Sequence, residues 1–90
     1  MFEILKQLIK TIRERKSSSP DSSYTNKLLN NKNLSVTKVQ EEIGELIEAV
    51  EKDTNKIHEA ADVIYHLMVY LEANNIKIED VMSELNKRKK

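Results

Sequence analysis

Apolar residues return at helical intervals along most of this chain. Phe2, Leu5, Leu8, Ile9 and Ile12 mark one face of a helix over about residues 2–15. Residues 16–23 (KSSSPDSS) form a polar loop, and Pro20 stops any helix from running through it. A short helix is predicted from about Ser23 with Leu28 and Leu29 facing inward, after which Asn30, Asn31 and Asn33 break the pattern. A third helix is predicted over about residues 35–52, with Val36, Val39, Ile43, Leu46 or Ile47, and Val50 as its stripe. Ser35, or a capping box of Thr37 with Gln40, would start it. After a turn at residues 53–55, a fourth helix over about 55–73 carries Ile57, Ala61, Ile64, Met68 and Leu71 on its apolar side. Asn74 and Asn75 suit a left-handed C-terminal cap. A fifth helix, about 77–88, uses Ile78, Val81, Met82 and Leu85, with Glu79 and Asp80 favourably placed in its first turn. One Gly and one Pro in 90 residues argue against β-hairpins. The expectation is a single all-α domain over residues 1–90, built from four to five short antiparallel helices.

Composition adds a constraint on assembly. A domain this small buries only roughly two-thirds of its unfolded surface. Its core must come from aliphatic side chains, since the chain has no Trp and one Phe. With no Cys to form disulfides, oligomerisation is the usual remaining source of core, so a homodimer or higher oligomer is expected. Fifteen basic and fifteen acidic residues cancel, and without a basic excess no nucleic-acid partner is expected. The charge is nevertheless uneven: residues 1–40 hold eight Lys/Arg against three Asp/Glu, whereas residues 41–84 hold twelve Asp/Glu against three Lys. The longest charge-free stretch, residues 63–71, is too short to span a bilayer, and the N-terminal region is interrupted by Glu3, Lys6 and Lys10. No membrane partner and a cytoplasmic location are therefore expected.

The chemistry concentrates in Glu41-Glu42-Ile43-Gly44-Glu45 and Glu59-Ala60-Ala61-Asp62. Glu42 and Glu45, like Glu59 and Asp62, are three residues apart, which makes them neighbours on a helix surface. If the third and fourth helices pair antiparallel with these sides facing, the acidic pairs converge. Four carboxylates in one place require a cation or raised pKa values. Oxygen donors select Mg²⁺, Mn²⁺ or Ca²⁺ over zinc. The same spacing equally describes an acidic helix edge that pairs with Lys or Arg across an interface. On the fourth helix Glu59, Asp62 and His66 lie away from the main stripe but are flanked by Val63, Val69 and Tyr70, so this side too is expected to face protein.

Segments along nearly the whole chain carry a resemblance: Glu14-Arg15-Lys16, Pro20-Asp21-Ser22-Ser23-Tyr24-Thr25, Lys38-Val39-Gln40-Glu41-Glu42-Ile43-Gly44-Glu45, Glu59-Ala60-Ala61-Asp62-Val63-Ile64-Tyr65-His66-Leu67, and the tail from Ile78 to Arg88. The chain resembles the phosphoribosyl-ATP pyrophosphohydrolases of histidine biosynthesis, within the wider all-α, MazG-like nucleotide pyrophosphohydrolases. The acidic motifs point to the wider group, and the Ser-Tyr-Thr and Tyr-His segments narrow it. The resemblance implies Mg²⁺-dependent hydrolysis of phosphoribosyl-ATP to phosphoribosyl-AMP and pyrophosphate, with Mn²⁺ as a possible substitute. It makes Glu42, Glu45, Glu59 and Asp62 the metal ligands, and Glu41, then Glu45, the candidates for activating water. Tyr24, Thr25, Lys27 and Lys38 become the substrate-binding candidates. His66, four residues after Asp62, would orient that carboxylate from behind.

Three features depart from the family pattern. Gln40 replaces a usual Gly, the segment 30–37 is about one residue short and lacks its usual Gly, and Lys77 stands where a capping Ser is common. The first two leave open a pyrophosphohydrolase acting on other nucleoside triphosphates. A third reading is a non-catalytic helical module whose acidic edge binds a basic partner. Taken singly, Lys27, Lys38 and His58 read as solvated surface residues, and Met68, Tyr70 and Met82 as core or dimer interface.

Overall fold

Among the described residues, three other than glycine adopt left-handed backbone, Asp53, Asn55 and Asn75, and they mark the end of one long helix and the two ends of the next. Short polar side chains tolerate this region at little cost. The computed structural model describes residues 2–89 as α1 (Glu3–Glu14), α2 (Tyr24–Leu29), α3 (Lys32–Lys52), α4 (Lys56–Ala73) and α5 (Ile78–Lys87), with a 3₁₀ turn at Arg15–Ser17 and no strand among the described residues. At the end of α3 the Thr54 amide donates to the Ala49 carbonyl and the Asp53 amide to that of Val50. At the end of α4 the Ile76 amide donates to Leu71 and the Asn75 amide to Glu72. Both are Schellman closures, which satisfy carbonyls that a helix end otherwise leaves open.

α3 starts earlier than its apolar pattern implies. Asn31 accepts a hydrogen bond from the Leu34 amide at 3.0 Å and is the cap. Ser35 and Thr37 lie inside the helix, and Thr37 turns its hydroxyl back to the Asn33 carbonyl at 2.9 Å, so no Thr37–Gln40 box forms. The asparagine-rich stretch does break the helix, but at Asn30 and Asn31 alone: Asn30 ends α2, Asn31 caps α3, and Asn33 is absorbed into the first turn of α3. Ser23 caps α2 through the Asn26 amide. Lys77 precedes α5 without any side-chain cap.

α3 and α4 form an antiparallel hairpin closed by the short turn at residues 53–55, and α2 lies against both while α1 packs on α4. Ile12, Leu28, Met68 and Val69 make the central cluster, with Leu5, Leu8, Ile9, Leu29, Leu34, Tyr65, Leu71 and Ile78 around it. Asn26 is fully buried beneath this layer and donates its side-chain amide to the Arg15 carbonyl at 2.8 Å, fixing how the chain leaves α1.

The orientation of α4 corrects the stripe read from its sequence. Ile57 is 88% exposed, and Ala61 and Ile64 are exposed too, whereas His66, Met68, Val69, Glu72 and Ala73 are buried. In the first half of α4 the acidic side turns towards α3 and the aliphatic side faces outward. Ile43, Ile47 and Val50 of α3 are likewise exposed, so the hairpin carries its own apolar outer surface. Met82 is also exposed, unlike Met68.

Candidate active site

The antiparallel pairing of α3 and α4 sets the two acidic motifs opposite one another. Ligand atoms of Glu42, Glu45 and Glu59 lie within 4.8 Å of one another, as do those of His58, Glu59 and Asp62. Glu59 belongs to both groups. The four carboxylates expected to act together are therefore arranged as two overlapping triads, one from both helices and one wholly from α4.

Electrostatics at the first triad are unfavourable for bare carboxylates. Burial, followed by repulsion from Glu45 and then Asp62, raises the Glu42 pKa. Burial and the charge of Glu45 raise that of Glu59. One oxygen of each, Oε2 in both cases, is buried with no hydrogen-bond partner. Two unpaired carboxylate oxygens shielded from solvent are costly unless something positive meets them. An all-oxygen donor set of this kind fits a hard divalent cation such as Mg²⁺.

The surrounding residues are distributed unevenly. His66 is nine-tenths buried, with its ring 5.0 Å from that of Tyr65 and 6.1 Å from that of Tyr24, both edge-to-face. Its Nε2 lies 3.9 Å from Glu42 Oε1, so it approaches the α3 carboxylate rather than hydrogen bonding to Asp62. The helical spacing four residues back is not used because packing between the Tyr rings turns His66 towards α3. Asp62 instead meets His58, whose Nε2 is 3.3 Å from Oδ2. Burial lowers the His66 pKa, which keeps its ring neutral at neutral pH.

Glu41 stands outside both triads, exposed on α3 and bonded to Lys38 Nζ at 3.2 Å. That bond raises the Lys38 pKa and keeps the amine charged beside the acidic cluster. Tyr24 is half exposed at the start of α2, and its pKa is raised by partial burial. Thr25 is committed internally, its hydroxyl bonding to the Tyr65 hydroxyl at 2.5 Å and tying α2 to α4. Lys27 is exposed on α2. Spacing does not single out Tyr65 or His58 as site residues, and His58 reads as surface. The Tyr65–His66 pair following an acidic motif was the one available signal for the former.

Comparison with known proteins shows what the chain is similar to. The sequence profile described as phosphoribosyl-ATP pyrophosphohydrolase matches residues 5–89. A phosphoribosyl-ATP pyrophosphatase from Clostridium novyi is 40% identical over 99% of this chain and 84% of its own length. One from Clostridium acetobutylicum is 46% identical over 96% of the chain and 81% of its own length. One from Halobacterium salinarum is 37% identical over 99% of the chain and its entire own length.

Proposed function

Because the chain belongs to the phosphoribosyl-ATP pyrophosphohydrolase family, we propose that its triad of carboxylates acts on the polyphosphate of phosphoribosyl-ATP. The protein is a hydrolase that converts phosphoribosyl-ATP to phosphoribosyl-AMP and pyrophosphate in histidine biosynthesis. Residues 1–90 act as one catalytic domain, in the cytoplasm.

Glu42, Glu45 and Glu59 hold Mg²⁺, with Asp62 completing the set on the α4 side. When bound there, Mg²⁺ neutralises charge on the phosphate oxygens and makes pyrophosphate a better leaving group. Lys38 adds a fixed positive charge at the rim, where it meets the polyphosphate. Glu41 takes the proton from the attacking water. It lies outside both triads, so cation binding does not occupy its lone pairs, and its exposure lets solvent reach it. Tyr24 and Lys27 contact substrate from α2, and Thr25 holds that helix in register through Tyr65. His66 packs behind Glu42 and orients it. The outer aliphatic face of α3 and α4, including Ile43, Ile47, Ile57 and Ile64, is covered by a second copy of the chain.

The single observation that carries this reading is the pair of buried, unpartnered oxygens of Glu42 and Glu59 between facing helices. The test is pyrophosphate release from phosphoribosyl-ATP, ATP and dUTP, with Mg²⁺ and with chelator. Release from phosphoribosyl-ATP alone, abolished by chelator, is the expected outcome. Equal release from ATP or dUTP would overturn the substrate assignment, and chelator-resistant release would overturn the role of the carboxylates.

A further inference from the structure

α2 is six residues long, too short to hold its shape and place unaided, and it is fastened at two points. At one, the buried Asn26 donates to the Arg15 and Lys16 carbonyls at 2.8 and 3.3 Å, which ties α2 to the end of α1. At the other, the Thr25 hydroxyl meets that of Tyr65 at 2.5 Å. Among the described residues this is the one side-chain hydrogen bond between α2 and the α3–α4 hairpin. Tyr65 is partly buried against the central cluster, and its ring stands edge-on to that of His66 at 5.0 Å. Adjacent residues of a helix point about 100° apart, so Tyr65 reaches α2 while His66 turns to α3. There His66 Nε2 lies 3.9 Å from Glu42 Oε1. One side chain therefore touches α2 at its hydroxyl and, at its ring, the residue behind Glu42.

We propose that Tyr65 is a positioning residue whose two ends have separate tasks. Its hydroxyl, through Thr25, holds Tyr24 and Lys27 of α2 at a fixed distance from the acidic hairpin. Its ring, through His66, fixes the direction of the Glu42 side chain. This rests on the reading of Glu42 as part of the hydrolytic site and of α2 as its substrate-contacting helix. The two tasks leave different kinetic traces. A helix that grips substrate and transition state alike is read in KM, whereas a carboxylate aimed at charge developing in the transition state is read in kcat. One neutral hydrogen bond contributes a factor of about three to ten to an equilibrium, which is enough to measure in KM.

The experiment is steady-state pyrophosphate release from phosphoribosyl-ATP by the full chain, each variant assayed below its melting transition. Tyr65→Phe loses the hydroxyl and keeps the ring, so KM should rise about fivefold while kcat stays within about twofold of wild type. Thr25→Val should match it, and the double variant should be no worse than either, since all three cut the same bond. Thr25→Ser restores a hydroxyl at the junction and should recover most of the wild-type KM. Tyr65→Leu removes the ring as well and should lower kcat by about tenfold or more. If that variant does not fold, the split between KM and kcat in Tyr65→Phe still decides the matter. A lowered melting temperature in Tyr65→Phe with KM unchanged would make the bond purely structural and overturn the proposal. So would KM penalties that multiply in the double variant, or a kcat loss in Tyr65→Phe as large as its KM effect. A wild type that releases no pyrophosphate would overturn the underlying reading of the site, and this role with it.

Discussion

Glu72 and Glu42 are buried to nearly the same depth, with side chains 10% and 13% exposed, yet their surroundings are opposite. Glu72 on α4 receives Arg13 Nε at 2.8 Å from α1, with Lys16 Nζ at 3.9 Å. The same Arg13 reaches Glu79 of α5 through two further bonds of 2.9 and 2.7 Å. Glu42 has Glu45 and Glu59 for neighbours and an oxygen with no partner. One carboxylate is compensated from within the chain, by an arginine that joins three helices. The other is left for something from outside. A buried acid is therefore structural or functional according to whether the fold supplies its counter-charge, not according to how deeply it lies.

Removing charge at the two places separates these roles. Glu42→Gln keeps the shape of the side chain and relieves repulsion, so melting temperature should hold or rise. Pyrophosphate release should fall by about 100-fold or more, the equivalent of roughly 3 kcal/mol of lost transition-state stabilisation. A variant that unfolds instead would show Glu42 to be structural. Arg13→Met should do the reverse. It strands Glu72, and because Arg13 is 36% exposed and Lys16 remains, the cost is about 2 kcal/mol rather than that of a fully buried pair. Calorimetry should register a drop of roughly 8–16 °C in melting temperature. Activity below the transition should stay close to wild type.

Divalent ions provide a milder version of the same comparison. At ten times its dissociation constant, Mg²⁺ should stabilise wild type by about 1.4 kcal/mol and Arg13→Met equally, while leaving Glu42→Gln unmoved in a thermal melt. A shift in Glu42→Gln matching wild type would place the ion elsewhere. The smallest effect concerns pH. Hydrogen bonding from Arg13 holds the Glu79 pKa down to about 2, well under the ordinary 4.5. A lowered folded-state pKa means the pair's stabilisation is complete above about pH 4.5 and is lost as pH falls from there towards 2. Glu79→Gln should therefore narrow its stability gap from wild type over that window in acid-unfolding curves. Since the pair is exposed, the gap at neutral pH is small.

Much of this was readable in advance, and the remainder has specific physical causes. Periodicity located five helices because each alternates aliphatic and polar residues at close to the helical repeat, and the acidic motifs were visible as carboxylates three apart. The start of α3 was missed because Asn serves equally as a break and as a cap, and only the Leu34 amide distinguishes Asn31. The facing of α4 was misread in its first half. An aliphatic stripe marks a side that avoids water, but does not state whether this chain or another covers it. The Arg13–Glu72 bond joins residues 59 positions apart, beyond the reach of any local pattern. His58 was read as surface, which its exposure supports, but its alignment with Asp62 depends on the helix being where it is.

The left-handed residues at the α3–α4 turn carry a consequence for how this chain can vary. Asp53 and Asn55 return the backbone within a few residues, so that count meters the phase between the two acidic motifs. Each residue added or removed there would swing α4 by about 100° and slide it about 1.5 Å, carrying Glu59 off the line of Glu42. An insertion scan should accordingly find residues 18–22 permissive and residues 53–55 intolerant, although both segments are polar and exposed. The turn behaves as a gauge block whose length, more than its composition, is under constraint.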